Sequence, residues 1–592
     1  MKQMYSVERN VQILIGLLKA NGIKKIVASP GTTNIPFVLS CQKDGSFEMY
    51  SCIDERSAAY MAVGMSAESG EPVVLTCTGA TASRNYMSGL TDAFYRRLPI
   101  IAVTSTRPLS SIGNHVAQVI DRTVVPNDIV KLSVFAPLVH TSNDEWDCQL
   151  KINRAIAALR KNGGGPVHIN LETVSSMDFS VQELKGIKPI SYIVPTDKFP
   201  AITGNNVAIY IGVHSPFTNA ETEAIEKFCE CYNGVVYCDH TSNYHGKYRV
   251  MAALLGGQDL YQSVACSMDL MIYIGDVTGA YEMQCLMPKA KTLWRVSEDG
   301  EMRDPSRSLS KLFHMREIDF FQHYYGMAKG SKKGTNFYES CIKDYNHLYS
   351  SIPKDKVPFS NIWIAMEMAQ KMPEGCAIHF AILNSLRSWD WFEVPESVNG
   401  FCNVGGFGID GPLSAMIGAS LCNPSKLYFA VVGDLSFFYD MNSLGNRHVG
   451  NNVRILLVDN GKGMEFRNYT HPASKFPNEE IDAYVSAGGH YGHQSRTLVK
   501  NYAEDLGYRY LTASSKEDFL KHEAEFLNPE IMDKPIVFEV FTEQDDEDTA
   551  LHIVRNLDKS MDKIAINTAK KVITKIAGEE GLNKIRSIVR NR

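Results

Sequence analysis

Leu427-Tyr428-Phe429-Ala430-Val431-Val432 runs into Gly433-Asp434-Leu435-Ser436, and Val453-Arg454-Ile455-Leu456-Leu457-Val458 runs into Asp459-Asn460-Gly461. Each is a short apolar run stopped by turn residues, the pattern of a buried strand ending in a loop. Read as parallel strands of one sheet, they deliver the Asp434 carboxylate and the Asn460 carboxamide to the same carboxyl-end edge. Open α/β sheets bind their ligands at that edge. Both side chains offer hard oxygens, suited to Mg²⁺ or Ca²⁺. A Mg²⁺ held by so few protein groups completes its shell with waters and phosphate oxygens. The pair therefore predicts a diphosphate bridged to the protein by a metal. A lone Gly-Asp is more often a helix cap, and a lone Asn-Gly a turn, so other segments must decide.

Two segments near the N-terminus bear on this. Val27-Ala28-Ser29-Pro30-Gly31-Thr32-Thr33-Asn34 reads as strand, loop and helix start, marked by Pro-Gly and small hydroxyl residues. Ser51-Cys52-Ile53-Asp54-Glu55-Arg56-Ser57-Ala58 reads as a short strand and then a helix opening at Asp54-Glu55. An acid in a first helical turn is favourable for the helix dipole alone.

Together these stretches resemble thiamine diphosphate (ThDP) enzymes, in the expected order over most of residues 1 to 545. The resemblance implies that Asp434, Asn460 and the main-chain carbonyl of Lys462 hold the metal, Mg²⁺ or a substituting Ca²⁺ or Mn²⁺. It places Glu55 against N1′ of the cofactor's aminopyrimidine. A protonated carboxyl in an apolar pocket can donate there and activate the thiazolium carbon. Pro72–Thr81, which contains Gly79, resembles the strand and loop before the helix carrying Asn85.

Within that family, Gly433-Asp434-Leu435-Ser436-Phe437-Phe438-Tyr439-Asp440 resembles the menaquinone-pathway synthases (MenD type), which decarboxylate 2-oxoglutarate and add the succinyl unit to isochorismate. Most other branches have Gly-Asp-Gly. Asn384-Ser385-Leu386, Gly408-Ile409-Asp410-Gly411, Thr106-Arg107-Pro108 and Gln118 resemble segments of the same branch. This implies Gly79, Asn85, Ser385, Gly408, Ile409, Leu435 and Ser436 beside the cofactor, with Ile409 as the apolar wedge that bends it. It also implies Arg107, Gln118 and Ser385 facing substrates. His115, in Gly113-Asn114-His115-Val116, is a candidate proton donor. His168 lies in an apolar strand pattern and reads as a hydrogen-bonded core residue.

The departures concern charge. Where that branch has an Arg-bearing Ser-Pro-Gly loop, this chain has Thr32 and Thr33. The Arg expected after Asn384-Ser385-Leu386 is Trp389, with Arg387 two residues earlier, and no basic pair follows Gly275-Asp276-Val277-Thr278. Bidentate Arg forks give carboxylates their specificity. The reading is thus intact cofactor chemistry with a rewritten substrate pocket, in which Arg107 and Arg387 remain to hold a carboxylate. Alternatives are a simple 2-oxo acid decarboxylase that releases an aldehyde, and a non-catalytic ThDP-binding relative.

The chain has 592 residues, 21% charged, with net charge −6, which argues against a general nucleic-acid binder. No apolar run reaches the roughly 20 residues that span a bilayer. The N-terminus lacks a signal core. Thirteen scattered cysteines without zinc spacing point to reduced thiols and the cytoplasm. The fold class expected is α/β, with three doubly wound parallel-sheet domains and a helical C-terminal tail. The blocks are 1–188 (pyrimidine-binding, with Glu55), 196–350 (central, Rossmann-like) and 355–545 (diphosphate- and metal-binding). A Pro-containing linker spans 188–195. A basic amphipathic tail spans 546–592, with Ile553, Leu557, Met561, Ile564 and Thr568 at helical spacing. The central block lacks an Arg-Phe-Asp-Asp-Arg motif, so FAD is not expected. By family resemblance the partners are a 2-oxo acid, an acceptor and a second copy of the chain, with the active site at the chain–chain interface.

Overall fold

The computed structural model describes residues 4–489 and 495–560. They form two compact units, residues 4–199 with 298–314, and residues 200–297 with 315–489 and 495–560.

The first unit is built on strands β1 (Lys25–Ala28), β2 (Glu48–Ser51), β3 (Val73–Cys77), β4 (Ile100–Thr106), β5 (Leu132–Ala136) and β6 (Val167–Glu172). Their order is β2-β1-β3-β4-β6-β5, every neighbouring pair parallel. β3 and β4 are buried along their whole length, as expected for central parallel strands covered on both faces. Alternate residues serve opposite cores, because strand side chains alternate. Val74, Ile101 and Val103 pack with Leu14, Leu17 and Ile152. Val73, Leu75, Ile100 and Ala102 pack with Ala58, Ala62, Leu90 and Ala93. The stretch expected to be a linker contains β7 (Ser191–Ile193), which pairs in parallel with β13 (Leu309–His314). A strand of three residues is too short to leave a period-2 signal.

The second unit contains β8 (Val207–Ile211), β9 (Gly234–Cys238), β10 (Arg249–Met251), β11 (Leu270–Ile274) and β12 (Thr292–Ser297), in the parallel order β10-β9-β8-β11-β12. The strand order reverses between β8 and β11. There Asp276 N–H donates to Val213 O at 3.0 Å, and a Cβ on Gly212 would stand 1.8 Å from Asp276 O. A further sheet comprises β14 (Ala377–Phe380), β15 (Asn399–Cys402), β16 (Tyr428–Gly433), β17 (Val453–Asp459), β18 (Arg509–Ala513) and β19 (Ile536–Phe541), in the parallel order β15-β14-β16-β17-β19-β18. Helix Gln544–Val554 follows, with Asp545, Asp546 and Glu547 in its first turn. Residues from 561 onward lie outside the described residues, and with them most of the basic tail.

The chain thus forms three parallel α/β sheets. In the first unit, helices Glu55–Ser69 and Met87–Arg96 approach closely at Gly89, where a Cβ would stand 2.5 Å from Ala59 Cβ. Gly89→Val should therefore lower stability by about 1–3 kcal/mol through overpacking, read as a lower urea midpoint. An unchanged midpoint would mean that the contact relaxes freely.

Candidate functional site

β16 and β17 pair in register as far as Gly433↔Val458. The next residues, Asp434 and Asp459-Asn460, therefore emerge side by side at the carboxyl edge. Asp434 is 5% exposed and begins the short helix Asp434–Asp440. Its Oδ1 accepts from Leu435 N–H at 2.7 Å and its Oδ2 from Gly461 N–H at 2.6 Å. Gly461 has φ +78°, a conformation that costs glycine little. Burial, and then the negative charge of Asp459, push the Asp434 carboxyl well above the usual carboxylate range. Glu539, on β19, is raised by burial and by the same Asp459, against the hydrogen bond from Tyr510 (2.6 Å).

Asn460 is 8% exposed, and its Oδ1 is enclosed without a hydrogen-bond partner among the described residues, a costly state for a polar atom. A buried amide oxygen beside crowded carboxyls is what a hard cation would satisfy, so these residues fit the metal. Among the described residues no group of three or more His, Cys, Asp or Glu could hold one. A cation here would draw its remaining ligands from main chain, water and cofactor phosphate. Lys462 Nζ pairs with Asp482, and Lys462 lines the same cavity.

That cavity, of about 120 Å³, is lined by Asp434, Leu435, Ser436, Asn460, Ser385, Ile409 and Glu465, among others. Ser436 Oγ donates to Ile409 O at 2.7 Å, which fastens the Gly408-Ile409 loop to the Asp434 helix. Leu383, at the corner leading into helix Asn384–Trp389, has φ +71° and ψ −127°. A bulky residue held there is strained, and the strained corner places Asn384 and Ser385 on the cavity wall. Arg387 is 9% exposed. Its Nη1 donates to Glu465 Oε1 at 2.6 Å, its Nε to Gly279 O at 3.3 Å, and its guanidinium lies 3.6 Å from the centroid of the Tyr281 ring. Its charge is thus already answered within the chain, and only Nη2 is without a partner. Glu465 is the lining residue the sequence reading missed. Its partner Arg387 is distant in sequence, and no local pattern marks the pair.

In the first unit the expected residues follow consecutive strands at one edge: Thr32 and Thr33 after β1, Glu55 after β2, Gly79 after β3 and Arg107 after β4. Asp54 caps helix Glu55–Ser69 by accepting from Ser57 N–H at 2.9 Å, which fixes Glu55 in the first turn. Asn85 Nδ2 donates to Glu55 Oε2 at 3.2 Å. Thr33 and Thr78 share a hydroxyl–hydroxyl bond of 2.6 Å, while Thr32 and Arg107 are exposed. A Cβ on Gly79 would stand 3.1 Å from Gln118 O and 3.2 Å from Ser105 O, so glycine lets the loop bearing Gln118 close in. Gln118 and His115 are exposed and carry φ of +63° and +55°. His168 is core: its ring nitrogens meet Thr104 Oγ1 at 2.7 Å and Ser133 Oγ at 2.8 Å, and burial lowers its pKa to about 3.

Asp434→Ala and Asn460→Ala should each abolish Mg²⁺-dependent binding of the diphosphate cofactor in titration calorimetry. Undiminished affinity in either variant would refute the metal role of that residue.

The family model described as thiamine pyrophosphate enzyme, N-terminal TPP binding domain, matches residues 9–125. The 2-succinyl-5-enolpyruvyl-6-hydroxy-3-cyclohexene-1-carboxylate synthase of Phocaeicola vulgatus is 31% identical, over 93% of this chain and 98% of its own. The synthase of the same name from Bacteroides fragilis is 29% identical, over 91% and 97%. A solved 4-hydroxybenzoylformate decarboxylase of Rhodococcus jostii is 16% identical with a TM-score of 0.39, over 90% of this chain and 99% of that one. The chain belongs to the thiamine diphosphate-dependent enzymes, within the family of the 2-succinyl-5-enolpyruvyl-6-hydroxy-3-cyclohexene-1-carboxylate synthases.

Proposed function

We propose that this chain decarboxylates a 2-oxo acid with ThDP and Mg²⁺ and joins the remaining fragment to an acceptor, with substrates that differ from those of its synthase relatives. The observation that carries the difference is Arg387, whose charge is balanced by Glu465 and which is stacked on Tyr281. A guanidinium so engaged is a weaker partner for a second substrate carboxylate than a free fork. Arg107, exposed at the end of β4, keeps its charge for one carboxylate. Flavin is no part of this reading.

When bound, ThDP supplies a nucleophilic carbon and an electron sink. The protein's share is placement and proton handling. Asp434, Asn460 and the Lys462 carbonyl would hold the metal, and Ile409 would support the cofactor's bend. Glu55, oriented by Asn85, would hold a proton towards the aminopyrimidine. His115 would serve as proton donor at the substrate, and Gln118 would hold the substrate by hydrogen bonds.

Two protomers would complete the site, Glu55 of one working with the metal edge of its partner. Exposed apolar side chains on the segment that carries Glu55 support this: Ile53 is 81% exposed, and Tyr60 and Met61 are also open. Apolar surface of that kind marks association faces. Among the described residues no helix is long and apolar enough to cross a membrane. The thirteen cysteines support a cytoplasmic setting.

Glu55→Gln should lower turnover by roughly 10²–10⁴-fold with unchanged far-UV circular dichroism; wild-type turnover would remove Glu55 from the chemistry. A panel of 2-oxo acids, including 2-oxoglutarate, should release carbon dioxide and give a ligated product by mass spectrometry when candidate acceptors, isochorismate among them, are supplied. Efficient turnover of 2-oxoglutarate with isochorismate would sink the altered-substrate reading. Free aldehyde as the sole product would establish a simple decarboxylase instead.

A further inference from the structure

Glu465 lines the metal-edge cavity together with Ser385, the residue expected beside both cofactor and substrate. Arg387, on the same helix as Ser385, does not line it. Of the ion pair, the acid is therefore the member that the cavity meets. The acid is held at both oxygens. Oε1 accepts from Arg387 Nη1 at 2.6 Å. With the Asn384 amide oriented to satisfy its neighbours, Oε2 accepts from the amide nitrogen at 3.2 Å, and Glu465 N–H donates to the amide oxygen at 3.2 Å. The side chains of Glu465 and Arg387 are 16% and 11% exposed, so solvent screens the pair little. The Tyr281 ring and Gly279 O fix the guanidinium from its other sides.

The charge balance of the cavity follows. Lys462, the cation among its described lining residues, is already paired with Asp482. Asp434 and Glu465 are acids on the same wall, while Ile382, Leu435, Met464 and Phe466 are apolar. A second substrate carboxylate entering this space would meet two acids and no open cation among the described lining residues. An anion desolvated without a partner is costly. The position that would suit it, against Arg387 Nη1, is taken by the chain's own carboxylate.

We propose that Glu465 is a specificity determinant: it occupies the place on Arg387 that the far carboxylate of a dicarboxylic donor would take, so the donor is a 2-oxo acid with an uncharged far end. The inference rests on the 2-oxo acid reading above and names its substrate class. Selection works by exclusion, with an unpaired like charge as the repulsive element. Only the carboxylate next to the oxo group then needs a cation, and Arg107 keeps its charge for that one. Removing Glu465 opens both the space and the charge of Arg387, and the far carboxylate of a dicarboxylate can take over the vacated charge-assisted hydrogen bond.

The probes are 2-oxopentanoate and 2-oxoglutarate, equal in carbon number and different in the charge of the far end. Binding is read by calorimetry on the full-length protein loaded with Mg²⁺ and a deaza analogue of ThDP that cannot turn over; carbon dioxide release is read with ThDP itself. The wild type should bind 2-oxopentanoate roughly 10-fold or more tightly than 2-oxoglutarate. Glu465→Gln should narrow that preference and Glu465→Ala should reverse it. Arg387→Met in the Glu465→Ala background should remove the gain for 2-oxoglutarate, which a merely structural role of Glu465 would not predict. Equal or tighter binding of 2-oxoglutarate by the wild type overturns the proposal, as does a preference unmoved in Glu465→Ala or no binding of either acid. If Glu465→Ala does not fold, the wild type and Glu465→Gln decide. Faster carbon dioxide release from 2-oxoglutarate than from 2-oxopentanoate overturns this inference alone, whereas release from no 2-oxo acid at all brings down the proposed function with it.

Discussion

Negative and polar oxygen crowded out of water is the constraint on which the catalytic half of this chain turns. Parallel pairing of β16 with β17, and of β17 with β19, brings Asp434, Asp459 and Glu539 towards one another in the interior. Asn460 adds an amide oxygen that none of the described residues satisfies. Carboxyls in that position either take up protons or surround a cation. A divalent ion would resolve both the repulsion and the unsatisfied amide, as the proposed metal-bridged cofactor requires of this sheet edge.

The edge built around Glu55 uses a different device. It has no crowd of carboxyls; it has loops held in uncommon conformations. Ala80, His115 and Gln118 all have positive φ, and the Leu383 corner repeats the device in the second unit. Strain of this kind persists where surrounding contacts over-determine it. Here the contacts are visible: Gly79 admits the Gln118 backbone, and the Thr33–Thr78 hydroxyl pair closes the first loop against the third.

Much of this was legible in the sequence, and the reasons are physical. The strands into Asp434 and Asn460 are continuous apolar runs, because central parallel strands are covered on both faces, and such runs stop visibly at polar residues. The helix start at Asp54-Glu55 was legible from the residues themselves, whereas a role for Glu55 beside the cofactor came only from the family resemblance. The assignment of His168 to the core followed from its place in an apolar strand. Arg387 was legible as a cation but not as a neutralised one: its partner Glu465 and its platform Tyr281 lie on distant segments, and the pairing exists only once the sheet has formed. β7 went unread because three residues carry no period.

The hydrogen bond from Ser436 to the Ile409 carbonyl makes one mechanical piece of two loops that come from different strand ends. Any motion of the Asp434 turn, whether from chelation, warming or a substitution at its core, is handed on to the apolar residue opposite. If the edge holds a divalent ion and Ile409 bends the cofactor as proposed, ion affinity and cofactor curvature would be correlated properties in this chain, and selection acting on one would drag the other.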